Sequence, residues 1–252
     1  MSALTTSARP VKILAFGVEP NSRIYRLRLA RYKGLAETLA AFIKEHQTAG
    51  RGKVELLDIA PGSGRSLRFL EAEGGAEDVN WSGVDISARR LETIYKPERW
   101  ALKQADVTRG LDYPDACFDV CLCEQLLEHL TDTKGVVAEI DRVLKPGGLA
   151  IFGVPTFPPG IAWLRHLAGI LREKITGTHR SHVQTFTCGS FCALLKTRPS
   201  FAVVEARGFR WISGGLFAPL EKHEWWYRLN RKLGRLAPWL CTEIQVVIRK
   251  RV

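Results

Sequence analysis

Between residues 54 and 155, short apolar runs alternate with amphipathic stretches, and each run closes on turn-forming or acidic residues. VELLDIA (54–60) predicts a strand, and PGSGRSLRFLEAEGG after it predicts a glycine turn and a helix closed by Gly74 and Gly75. WSGVDI (81–86) predicts a second strand, with Ser87 placed to cap a helix SARRLETIYK. ALKQADV (101–107) and CFDVCLCE (117–124) predict a third and fourth strand, the latter followed by QLLEHL and a helix to about Leu144. GLAIFGVP (148–155) predicts a fifth after the Pro146-Gly147-Gly148 turn. Strands that alternate with helices pair in parallel through right-handed crossovers, so the expected class is α/β with a doubly wound, mostly parallel sheet. In such sheets ligands bind at the carboxyl ends of the strands.

The flanks complete one domain. GLAETLAAFIKEHQ (34–47) has helical spacing and is expected to cover the sheet or the site, as part of a basic extension over 1–53. Residues 156–252 continue the domain, with a helix around 161–174, another beginning near Thr187, and two late strands, FAVVEARGFRWIS (201–213) and CTEIQVVIRK (241–250). Residues 214–240 form an insertion between those strands, EKHEWWYRLNRKLGRLAPWL being its helical part.

Charge is distributed in three blocks. Residues 1–53 carry +7, residues 54–155 carry −7 and residues 156–252 carry +11, a pattern that concerns partners more than fold. The longest uncharged stretch, Pro146 to Leu164, holds four prolines and reads as strand and loop rather than a membrane span. ILAFGV is the one uninterrupted apolar run near the start, too short for the core of a secretory signal, so a cytoplasmic location is expected. Cys121-x-Cys123 and Cys188-x3-Cys192 lack a second ligand pair at zinc spacing and are read as small core residues with reduced thiols.

Chemistry concentrates at the strand ends. Asp58-Ile59-Ala60-Pro61-Gly62-Ser63-Gly64 joins the first strand to the first helix, where small residues let backbone approach a ligand and the helix start offers free N–H groups. Asp85 and Ile86 end the second strand, 21 residues after Gly64, where a carboxylate can accept both hydroxyls of a ribose. Asp106 and Val107 end the third strand, where an acidic side chain can meet an amino group of a base while its apolar neighbour packs on the ring.

Phe118-Asp119, Leu127-Glu128-His129-Leu130 and Arg142-Val143-Leu144-Lys145-Pro146-Gly147-Gly148 follow in order. The series resembles the class I S-adenosylmethionine-dependent methyltransferases, in particular the branch whose signature reads FDxVxxxxxLEHL and then RVLKPGG. The resemblance covers about residues 54–155. It implies a Rossmann-like sheet of seven strands with an antiparallel last strand, and S-adenosyl-L-methionine as cofactor. It also implies roles: Asp58, Ala60, Gly62 and Gly64 hold the methionine end, Asp85 with Ile86 the ribose side, Asp106 with Val107 the adenine, and Gln125 faces the sulfonium. Two positions depart from the pattern. Ala60 replaces a glycine, which is tolerable if its φ is negative, and Gln125 stands where many relatives have Glu. His182 with Phe186 resembles the step before the penultimate helix.

Transfer of a methyl group needs orientation above all, and a base only where the acceptor must lose a proton. His129, after the fourth strand, and His182, in the covering segment, are the two candidate bases, each weighed against a structural role. No metal is expected, Glu128-His129 being a weak alternative for a divalent ion. An (Asp/Asn)-Pro-Pro-aromatic turn after strand four and a Pro-Cys dipeptide are both missing, which argues against two routes of base methylation. The expected activity is methyl transfer to oxygen or nitrogen of a small-molecule or lipid-linked acceptor. The alternatives are an RNA-directed enzyme using the basic flanks and a non-catalytic cofactor-binding regulator. In the insertion, Trp225, Trp226, Leu229, Leu233, Leu236 and Leu240 recur at helical steps between Arg228, Arg231, Lys232 and Arg235. SRIYRLRLARYK near the start has a similar mix, and both fit either peripheral contact with an anionic membrane or helices packed on their own sheet. The insertion is also expected to cover the acceptor pocket.

Overall fold

The computed structural model describes residues 26–158, 183–211, 213 and 215–252. Seven strands form one sheet in the order β3-β2-β1-β4-β5-β7-β6. They are β1 (Val54–Ile59), β2 (Val79–Asp85), β3 (Trp100–Gln104), β4 (Phe118–Glu124), β5 (Leu144–Pro155), β6 (Phe201–Phe209) and β7 (Glu243–Lys250). β1 to β5 pair in parallel, and β7 runs antiparallel to both β5 and β6. This is the expected doubly wound sheet, with the strand order reversing between β1 and β4 and so opening a crevice at their carboxyl ends.

Each central strand feeds two cores, because successive side chains leave opposite faces. On β4, Val120 and Leu122 join Leu35, Leu39, Leu67 and Leu70 beneath α1 (Arg26–Thr48) and α2 (Arg65–Glu73). Cys121 and Cys123 join Val136, Ile140 and Phe191 on the other face, under α4 (Thr133–Val143) and α5 (Cys188–Leu195). All six cysteines are free thiols, with Cys121 and Cys123 buried as core residues. Thr187 caps α5 through a reciprocal box with Ser190, which fixes the helix start where the sequence places it.

The segments Phe118-Asp119 and Arg142–Gly148 knit this scaffold together. Asp119 accepts from Lys145 Nζ (2.9 Å) and from the Glu55 N–H (3.0 Å), while Arg142 donates to the carbonyls of Leu111 and Tyr113 (2.7 and 2.8 Å).

Several boundaries differ from the sequence reading. α1 begins at Arg26 rather than near residue 34, because Leu27 and Ala30 find a third small cluster with Phe209, Trp226 and Tyr227. The helix after β2 is only α3 (Ala88–Glu92), and the Ser87 side chain makes no cap bond; the Ser87 N–H instead donates to Asp85 Oδ1 (2.8 Å). β3 stops at Gln104, because Asp106 caps the short turn Val107–Arg109. β6 ends at Phe209, and the expected helix around 161–174 lies outside the described residues.

The helix of the insertion is α6 (Glu224–Leu236), and its apolar residues do not form the single face expected. Trp226 and Tyr227 pack inward, whereas Trp225, Leu229 and Leu236 point to solvent. Gly234 permits the inward packing, since a Cβ there would lie 2.0 Å from the Gly208 carbonyl oxygen on β6.

Candidate active site

A cavity of about 420 Å³ opens at the reversal point of the sheet. The β1–α2 turn supplies Asp58, Ala60, Pro61, Gly62 and Ser66 to its wall, and the end of β2 supplies Ile86 and Arg90. The segment after β4 supplies Glu124, Gln125, Leu126, His129 and Leu130. α1 closes the side with Tyr32 and Leu35. Among the described residues, α6 does not do so: none of its side chains lines this cavity, because the helix is held against β6 and the start of α1.

The turn itself is shaped by left-handed backbone. Gly62 (φ 58°) and Gly64 (φ 73°) both need it, and they differ in surroundings. A Cβ on Gly62 would meet no atom within 4 Å, since that side is the open cavity, whereas one on Gly64 would press on Ile94 (2.9 Å) and Tyr95 (3.2 Å). Ala60 does not meet the condition of a negative φ: it sits at φ 58°, its N–H donating to the Val84 carbonyl (2.7 Å). An L-residue in that region carries a strain of about 1–2 kcal/mol. Ala60→Gly should therefore raise stability by about 1 kcal/mol in urea unfolding, and an unchanged or lower midpoint would show that the strain is not there. Gln125, the second departure from the family pattern, is also left-handed (φ 56°) and is anchored by its N–H to the Gly153 carbonyl (2.7 Å).

The wall is acidic and buried. Asp58 is pushed up to about 7, by burial first, against a hydrogen bond from the Ser66 hydroxyl and with the Glu124 charge adding to the rise. Glu124 is likewise pushed up to about 7 by burial, although Arg31 and the Gln245 amide (2.7 Å) favour its charged form. Burial also raises Glu128, whose carbonyl accepts from the N–H groups of Val183 and Gln184 (2.9 and 3.0 Å). Arg31 answers this charge from α1, 3.8 Å from Glu124 and 3.4 Å from Glu243. Despite the cost of burial its pKa is raised, by Tyr32, Glu243 and Glu124. In sequence this arginine belongs to the basic run SRIYRLRLARYK, and nothing local pairs it with Glu124. The one signal for Glu124 is a carboxylate at the end of an otherwise buried strand.

The remaining expected residues fall in distinct places. Asp85 is buried with Oδ1 engaged by Ser87, and Oδ2 has no hydrogen-bond partner, with Arg90 3.7 Å away. Ile86 beside it is 64% exposed and lines the cavity. Asp106 is tied to Thr108 through its N–H (3.0 Å) and hydroxyl (2.7 Å), which lowers its pKa; Val107 is buried in the core, and neither lines the cavity. His129 stands at the rim, half exposed, with Nε2 3.8 Å from Glu128 Oε1. His182 lies outside the described residues. No cluster of three metal-binding side chains occurs among the described residues.

A glycine turn at the switch point of a 3-2-1-4-5-7-6 sheet is where a doubly wound fold places its ligand. A methyltransferase domain model matches residues 57–152. A ubiquinone biosynthesis O-methyltransferase from Idiomarina loihiensis is 31% identical over 190 residues, covering 71% of this chain and 72% of that protein. A demethylmenaquinone methyltransferase from Tropheryma whipplei is 34% identical over 107 residues, with the match spanning 40% of each chain. Among solved structures, an S-adenosylmethionine-dependent methyltransferase from Mesorhizobium loti shares the fold, with a TM-score of 0.53 at 18% identity over 79% of this chain and 92% of that one. The chain belongs to the class I S-adenosylmethionine-dependent methyltransferases.

The residues present fit that family's cofactor. S-adenosylmethionine carries a sulfonium and an ammonium, and the cavity offers the carboxylates of Asp58 and Glu124; Asp85 precedes the lining residue Ile86 without itself entering the lining, and its Oδ2 is a buried oxygen without a hydrogen-bond partner. Asp85→Ala should weaken cofactor binding by about 1–3 kcal/mol, the scale of a lost charge-assisted hydrogen bond. Unchanged affinity by calorimetry would remove Asp85 from the ribose site.

Proposed function

We propose that the protein transfers a methyl group from S-adenosylmethionine to an oxygen or nitrogen of a small-molecule or lipid-linked acceptor. The observation that carries this reading is the cavity itself. It joins the glycine turn and the buried carboxylates of Asp58 and Glu124 to the apolar side chains of Tyr32, Leu35, Leu126 and Leu130 and one imidazole, His129. The bound cofactor supplies the methyl group on a positively charged sulfur. The chain's part is to bind and orient: Asp58 and Glu124 counter the cofactor's charge, Asp85 fixes the ribose, and Ile86 packs beside it. At the rim, His129 accepts the proton that a hydroxyl acceptor sheds as its oxygen takes the methyl group, and the ring passes that proton to water.

These apolar side chains suit an aromatic or lipid-linked acceptor better than a highly charged one. Two relatives are named for ubiquinone biosynthesis and for demethylmenaquinone, and a quinone-precursor phenol is accordingly the acceptor class proposed. The test is incubation with methyl-labelled S-adenosylmethionine and fractionated cell extract. Label is expected in the lipid or small-molecule fraction; label confined to RNA would overturn the acceptor class, and no label in any fraction would favour a regulator.

A further inference from the structure

The outward face of α6 is apolar although its inward face is already satisfied. Trp226, Tyr227, Asn230 and Gly234 are buried, the first two in the cluster with Leu27, Ala30 and Phe209. On the opposite side Trp225, Leu229 and Leu236 are 55%, 38% and 65% exposed. At one residue per 100° these three fall within about 40° of arc, so they form one stripe along the helix. The turn Pro238–Leu240 extends it with Trp239, 49% exposed, and Leu240. Arg228, Lys232 and Arg235 lie along one flank of the stripe, within about 80° of it. They border a trough of about 550 Å³ to which Lys33 and Arg231 also contribute.

We infer that this face docks on an anionic lipid bilayer, with Trp225, Leu229, Leu236 and Trp239 entering the headgroup boundary and Arg228, Lys232 and Arg235 meeting the lipid charges. Charge complementarity selects this occupant: the trough beside the stripe is lined by Lys33, Arg228, Arg231, Lys232 and Arg235 against one carboxylate, Glu224, which accepts from Arg228 (3.0 Å). Exposed large apolar groups beside snorkelling cations match an interfacial helix, whereas the core of a protein interface is depleted of charge. Among the described residues no helix is long and apolar enough to cross a membrane, so the contact is peripheral.

The docked face is coupled to the cavity through α1. Glu37 accepts both Arg231 guanidinium nitrogens (2.9 and 2.6 Å), and five residues before it Tyr32 forms the cavity wall. Docking therefore holds the rim of the cavity close to the bilayer, where a lipid-linked acceptor resides; only this last clause rests on the proposed acceptor.

Vesicle flotation of the full chain tests it, using phosphatidylcholine alone and with about 30% phosphatidylglycerol, at about 0.05 M and 0.5 M salt. The wild type is expected to float with the anionic vesicles at low salt and to stay down with neutral ones. Arg228→Gln/Lys232→Gln should lower the partition coefficient about 30-fold. Trp225→Ala/Leu236→Ala should lower it about tenfold. Both variants should keep the far-ultraviolet circular dichroism and the S-adenosylmethionine affinity of the wild type. A wild type that stays down at low salt overturns the inference, as does flotation equal to wild type in either variant. Self-association in lipid-free sedimentation that Trp225→Ala/Leu236→Ala abolishes would assign the face to a second copy instead. Cofactor binding and methyl transfer measured on the same samples separate a failure of docking from a failure of the enzymatic reading.

Discussion

Replacing Gly62 by Val is expected to lower the affinity for S-adenosylmethionine at least about 100-fold while the protein stays folded. The argument has two parts, both local. Gly62 holds φ 58°, a region that a β-branched residue enters only with strain. A Cβ there meets no protein atom within 4 Å, so the branched side chain projects into the space the cofactor needs rather than into the core. Folding is affected by the strain alone, and binding by both the strain and the occupied space. Gly64 makes the contrast: its Cβ would collide with Ile94 and Tyr95, so Gly64→Val should lower thermal stability as well as binding. Normal cofactor affinity in folded Gly62→Val would show that this turn is not the site.

His129→Ala is expected to lower kcat about 10²–10⁴-fold with a hydroxyl acceptor, while the dissociation constant for the cofactor holds. The ring sits at the cavity rim beside Glu128, whose burial and backbone contacts fix it at the end of β4. Single-turnover rates with preloaded cofactor separate the chemical step from binding. A loss below threefold would leave orientation as the main source of rate and return His129 to a structural role.

Part of the cavity lining was legible in the chain because it is built from local segments. Asp58, Ala60, Gly62 and Ile86 each lie where a strand ends, and a strand end at the switch point is placed by alternation alone. The acidic network was not legible. Arg31, Glu124 and Gln245 come from α1, β4 and β7, more than 90 residues apart in each step, and only sheet order brings them together. Burial also changes their meaning: Arg31 in sequence belongs to a solvated basic run, but in the fold it balances Glu124 and Glu243. Ala60 shows a different limit. An alanine favours negative φ, and only the folded turn, with φ 58° and the N–H tied to the Val84 carbonyl, shows that the chain holds it left-handed. For α6, helical periodicity identified the apolar residues, yet period alone cannot tell one broad face from two opposed ones when Trp225 and Trp226 are adjacent.

The central claim, that this cavity binds S-adenosylmethionine through its buried carboxylates, is tested most directly by calorimetric titration of the cofactor across pH. Asp58 and Glu124 are each pushed up to about 7, so near pH 6 both are largely protonated, and a cation must expel those protons to bind. Binding a cation favours the ionised form, hence affinity rises as pH rises through that value. Between about pH 6 and about pH 7.5 the dissociation constant should fall roughly tenfold for each carboxylate that must ionise, with proton release visible as a buffer-dependent heat. In Glu124→Gln that dependence should become shallower. Absence of binding heat at every pH in a protein whose circular dichroism is native, or an affinity that does not rise with pH, would contradict the account.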